Sequence, residues 1–167
     1  IGVKFGFLFG AYSYSDVFNL QLFSVPLVMI SAWIIIANFT NSFLRNMKKI
    51  YFIILGSLLM VITDLVIDPI AVDGLEIWIW ENPGQYYGIP NHNFYGWFIL
   101  SLPIFFLLSL SKNEIHLMSR VVSNLVISFF SIIGIINDII FPSVLGIFLV
   151  LVNLYLYKKN KSKENAI

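Results

Sequence analysis

The chain has 167 residues, of which 59% are hydrophobic and only 11% charged, with a mean hydropathy of +0.87 and a net charge of +1. So few charges cannot cover a water-exposed surface, which excludes an ordinary soluble enzyme and places the chain in a bilayer. With no cysteine in the sequence, disulfides, thiolate metal sites and Cys nucleophiles are excluded as well.

Ile1 to Leu22 is apolar but broken by Gly, Tyr and Ser, and reads as the tail of a further helix. Five stretches then have a length and apolarity suited to membrane helices. They are Phe23 to Phe39, with Pro26 at a first-turn position, Ile50 to Val72, Phe94 to Leu110, Val121 to Ile136, and Ile139 to Tyr157. The last two are separated by a tight Asn137-Asp138 turn. The expected fold is all-α, a polytopic transmembrane bundle with five to six helices visible, forming one domain over residues 1–167. The chain starts at Ile1 with no basic region or cleavage site of a signal peptide, so it is expected to be a piece lacking upstream helices.

Charge tests this topology independently of hydropathy. Arg45, Lys48, Lys49, Lys112, Arg120, Lys158, Lys159, Lys161 and Lys163 fall on one side of the predicted membrane, against Lys4 alone on the other. By the positive-inside rule the C-terminus is cytoplasmic and the Asp73 to Asn93 loop faces outward. The Lys-rich tail reads as a membrane anchor, not a nucleic-acid site.

Asp64 and Asp68 interrupt the second helix, where a charge is costly. Their i,i+4 spacing sets them on one face, about 6 Å apart at Cβ, and that face must turn to the bundle interior. Two adjacent carboxyls in a dry site are expected to hold at least one proton between them, a donor beside an acceptor. The alternative is that Asp68 caps backbone at the interface while a neighbouring polar group satisfies Asp64. Pro69 cannot donate to the Leu65 carbonyl and leaves it free near the same face. In the outward loop, Trp78 and Trp80 alternate, as in a short interfacial strand or an aromatic belt. Gly84, Gly88 and Pro90 mark turns that fold the loop back over the bundle as a lid. His92 and His116 lie on opposite sides of the predicted membrane, so no metal site is expected.

The run Gly88-Ile89-Pro90-Asn91-His92-Asn93-Phe94-Tyr95-Gly96-Trp97 resembles the G-x-P-x-x-N-F-x-G-W of the carotenoid biosynthesis proteins, which include bisanhydrobacterioruberin hydratases and carotenoid 1′,2′-hydratases. Asp64, Asp68-Pro69 and Gly84-Gln85-Tyr86-Tyr87 fit the same pattern, with weaker echoes at Phe9-Gly10-Ala11-Tyr12-Ser13-Tyr14, Val25-Pro26 and Ala32-Trp33. The chain departs from the family in its short loops and in the upstream membrane helices it is expected to lack.

The resemblance implies a cofactor-independent hydratase that adds water to the terminal C=C of a linear carotenoid. Asp64 and Asp68 would then be the acid and base. Trp80, Tyr86, Phe94 and Trp97 would be the aromatic faces toward the cation, and Asn93 the holder of the water. Its partners would be the carotenoid, the lipid bilayer and other enzymes of the pathway, with no nucleic acid. Two other readings compete: a carotenoid-binding or assembly partner without catalysis, and a proton-coupled transporter. The second lacks an inverted repeat.

Overall fold

The computed structural model describes residues 6–15, 17–44, 47–110 and 115–164. Lys4, Arg45 and Lys112, counted in the charge asymmetry, lie outside them. Helices dominate. Three short strands come first, β1 (Tyr12–Tyr14), β2 (Gln21–Leu22) and β3 (Val25–Pro26), followed by α1 (Val28–Asn41) and α2 (Lys49–Pro69). A π-helical turn over Ile70–Gly74 leads to β4 (Trp78–Trp80), and then come α3 (Asn91–Leu108), α4 (Leu117–Ile136) and α5 (Ile140–Glu164).

Two sequence expectations are corrected at the N-terminal side. The described residues among 6–22 hold no helix: β1 pairs antiparallel with β4, in the register Tyr12 to Trp80 and Tyr14 to Trp78. The first helix starts at Val28, because residues 21–26 turn back as the β2–β3 hairpin through Phe23 and Ser24, both at positive φ. Pro26 therefore ends a strand. The alternation of Trp78 and Trp80 is that of a strand.

The five expected helices are present, and they differ in length and apolarity. Lys49–Gly74, Leu117–Ile136 and Ile140–Ser162 are long and apolar enough to cross a membrane. At 14 residues α1 is about 21 Å long, short of a hydrocarbon core about 30 Å thick. The first turn of α3 is Asn91-His92-Asn93, too polar for its 18 residues to count as a span.

The molecule is apolar outside and polar within, as a bilayer requires. Phe141, Val144, Phe148, Leu151 and Tyr155 form an exposed stripe along α5, while Ser57, Thr63, Ser101, Ser131 and Ser143 are buried. Each of these hydroxyls donates to the carbonyl four residues earlier, at 2.6–2.9 Å. None of these five hydroxyls is thereby left without an acceptor.

Helix α2 contacts every other helix and is the axis of the bundle. Its closest neighbour is α3, which approaches at Gly56. A Cβ there would run into the Phe105 ring, which is fully buried and edge-on to Phe52 at 5.6 Å. Substituting Gly56→Ala is expected to destabilise the fold by about 1–3 kcal/mol through overpacking, read as a lower thermal midpoint in detergent.

At one end of the bundle, buried Asn153 of α5 ties three helices together. Its amide donates to Ser42 Oγ and, at 3.4 Å, to the Phe39 carbonyl, while its Oδ1 accepts from Arg120 Nη1 at 3.0 Å. The C-terminal end of α1, the N-terminal turn of α4 and the C-terminal half of α5 thus share an end. Lys48, Lys49, Lys158 and Lys159 belong to it. The carboxylate pair lies in the other half of α2.

Candidate active site

Asp64 and Asp68 are each 1% exposed, deep between α2 and α3. The side-chain amide of Asn93 lies between them, with Nδ2 donating to Asp64 Oδ2 at 2.7 Å and to Asp68 Oδ2 at 2.6 Å. One NH2 group has two hydrogens, so both are committed to the pair. The two Oδ2 atoms consequently lie within about 5 Å of each other. Asp68 accepts a third N–H, from Trp78 Nε1 to Oδ1 at 2.9 Å.

Pro69 has the consequence its sequence position suggests. The Leu65 carbonyl, deprived of an amide partner, accepts from the Tyr86 hydroxyl at 2.8 Å, and the helix passes into the π turn at Ile70. Burial pushes the Tyr86 phenol well above its ordinary pKa, so it remains a donor at any physiological pH. The loop between α2 and α3 is in this way fastened to α2 at two points, by Trp78 and by Tyr86.

Replacing Tyr86→Phe leaves a buried carbonyl unpaired and is expected to cost about 1–3 kcal/mol. The cost should shrink in a Pro69→Ala background, where an amide N–H is restored to the Leu65 carbonyl. A double-mutant cycle on thermal midpoints reads that coupling.

A pocket with about 90 Å³ of free space opens beside the carboxylates, lined by Phe9, Tyr12, Tyr14, Met29, Trp33, Trp78, Trp80 and Trp97 as well as Asp64, Asp68 and Asn93. That is room for about three waters, or for the end of a chain-like molecule but not its length. Trp33 and Trp97 stack nearly parallel at 4.1 Å, and Tyr12 leans on Trp80 at 5.0 Å. Burial, reinforced by the charge of Asp68, raises the pKa of both the Tyr12 and the Tyr14 phenol, which therefore stay neutral.

Of the residues singled out in the sequence, Asp64, Asp68, Asn93, Trp80 and Trp97 meet at this pocket. Tyr86 and Phe94 do not line it. They pack edge to face at 5.8 Å, where Tyr86 serves the helix break. Sequence reasoning missed Phe9, Tyr12, Tyr14, Met29, Trp33 and Trp78 as pocket residues. The available signal was the Tyr12-Ser13-Tyr14 alternation, which matches that of Trp78-Ile79-Trp80.

The family described as "Carotenoid biosynthesis protein" matches residues 1–153. A bisanhydrobacterioruberin hydratase of Haloarcula japonica is 31% identical over 109 residues, covering 59% of this chain and 36% of the relative. The chain thus spans about a third of that relative's length. No solved structure matches. With the family match running through nearly the whole chain, the protein belongs to the carotenoid biosynthesis protein family, and three of its helices are long and apolar enough to cross a membrane.

Proposed function

We propose that this protein is a hydratase, adding water across the terminal carbon–carbon double bond of a linear carotenoid. The observation that carries the reading is a pair of buried carboxyls, bridged by one amide, at the mouth of an aromatic pocket sized for a chain end. Asp68 accepts two N–H donors and Asp64 one, among the described residues. Asp68, which receives more donors, is the carboxylate, and Asp64 carries the proton.

Asp64 gives its proton to the less substituted carbon of the double bond. A tertiary cation forms at the neighbouring carbon, water bonds to it through oxygen, and Asp68 takes the proton that the water releases. Return of that proton to Asp64 resets the site. The addition is redox-neutral and needs no electron acceptor. The rings of Trp33, Trp80 and Trp97 line the pocket in which the positive charge develops, and a ring face open to it contributes about 0.5–2 kcal/mol of cation–π attraction. A multi-pass arrangement with a cytoplasmic C-terminus fits the basic end of the bundle and puts the pocket near the outer half of the membrane.

The test is expression of the full chain in a bacterium that makes a linear carotenoid, with mass analysis of the extracted pigments. A gain of one or two waters per pigment is expected, with lycopene or with bisanhydrobacterioruberin, the compound named for the relative. Pigment that co-purifies unchanged with both would instead identify a carotenoid-binding protein.

A further inference from the structure

Around the carboxylate pair, three N–H bonds are already spent: both hydrogens of Asn93 and the indole N–H of Trp78. One is not. Trp80 is 9% exposed and its Nε1 has no hydrogen-bond partner among the described residues. A buried N–H without an acceptor costs about 1–3 kcal/mol, so such a group in a built site marks the place of an acceptor from outside the chain. Trp80 reaches the pocket because β4 sends Trp78 and Trp80 to the same face, two residues apart. Both indoles come to the side of Asp68, but only Trp78 bonds to it with good geometry. The Trp80 ring is fixed against Tyr12 by the β1–β4 pairing, which aims Nε1 beside the carboxylate.

We propose that the indole N–H of Trp80 holds the reacting water against Asp68. This rests on the hydratase reading and adds to it a residue that positions the nucleophile. A water at this place accepts from Trp80 with one lone pair, donates one hydrogen to Asp68, and turns its second lone pair to the cation. When its oxygen bonds to the tertiary carbon, the shared hydrogen passes to Asp68. Asn93, with both hydrogens on the carboxylates, bridges the pair and does not donate to the water. If the water is not held, the cation has one cheap exit: it loses a proton back to the pair and regenerates the alkene.

That alternative exit makes the proposal testable, because in D2O the regenerated alkene carries solvent deuterium. The full chain, wild type and Trp80→Phe, is incubated in detergent with lycopene in D2O, and both the hydrated product and the deuterium content of recovered lycopene are measured by mass. Phenylalanine keeps an aromatic face and removes the donor. Hydration is expected to fall about 10²-fold, the effect typical of losing one well-placed donor, while deuterium uptake persists. Persistent uptake also shows that the variant is folded.

Wild-type hydration by Trp80→Phe would overturn the assignment and leave the hydratase intact. Parallel loss of hydration and uptake would overturn it too, placing Trp80 in the protonation step through Asp68. If the phenylalanine variant does not fold, benzothienylalanine at position 80 supplies the same shape without the N–H, and undiminished hydration with it overturns the proposal. Absence of both product and uptake in the wild type, with lycopene and with bisanhydrobacterioruberin alike, would instead end the hydratase reading, and the water assignment with it.

Discussion

Asp64→Asn is expected to lower product formation by 10³-fold or more, at the upper end of what a single general acid contributes, while the protein folds as before. An amide at position 64 has nearly the same shape, and its oxygen can still accept from Asn93 Nδ2, which now sits 2.7 Å from Asp64 Oδ2. What it cannot do is release a proton to carbon. Removing an ionisable group from the middle of a spanning helix also relieves a desolvation penalty, so the thermal midpoint should be unchanged or higher. The same change at Asp68 has a different signature. Asp68→Asn removes the base but leaves the acid, so hydration falls while deuterium from D2O still enters the recovered substrate. Asp64→Asn should abolish both. Normal product from Asp64→Asn would remove this residue from the chemistry, and identical exchange behaviour of the two variants would show that the acid and base roles are not divided between them.

The physical reason that this site was partly legible in the sequence is that its central element is local. Two carboxyls at i,i+4 must share a helix face, and no lipid-facing position tolerates them, so their burial followed from spacing and solvation alone. Pro69 was equally readable, since a missing amide frees the Leu65 carbonyl wherever the helix goes. The partner that takes this carbonyl, Tyr86, was noticed but given a different task, because a phenol in a loop carries no sign of which acceptor it will meet.

The remaining wall of the pocket comes from pairing distant segments. Tyr12 and Tyr14 meet Trp80 and Trp78 only through the β1–β4 ladder, and three-residue strands have too little periodicity to announce themselves. The N-terminal segment reaches the site at Gly96, where a Cβ would collide with the Phe9 ring and the Leu8 carbonyl. The motif at residues 88–97 can now be read physically. Gly88 sits at φ +70°, Pro90 leads into α3 from an extended conformation, Asn93 bridges the carboxyls, Gly96 admits the N-terminal segment, and Trp97 stacks on Trp33. The start of α1 was misplaced for a related reason. Its apolar run is continuous with the β2–β3 hairpin, and composition alone does not mark where the extended chain becomes a helix.

Asn93→Leu is expected to damage the protein more broadly than either aspartate variant. Leucine fills similar space but removes two donors of 2.6–2.7 Å from carboxyl groups that are 1% exposed. Hydrogen bonds to charged groups are worth about 1.5–3 kcal/mol each, and a buried carboxylate that loses such a donor is poorly compensated. A loss of about 2–4 kcal/mol in stability should accompany a loss of activity of at least 10²-fold, because without the bridge the two carboxyls are no longer fixed relative to each other or to the pocket. The stability cost should depend on charge. If Asp68 is the ionised member, combining Asn93→Leu with Asp68→Asn replaces the buried anion that most needs a donor, and the penalty of the leucine should drop to about 1 kcal/mol, that of an ordinary hydrogen bond. Combined with Asp64→Asn, the penalty should remain near its full value, since the anion is still present. Thermal midpoints of the two double variants therefore report which carboxyl carries the charge, independently of any assay of product, and equal penalties in both backgrounds would show that the charge is shared between them.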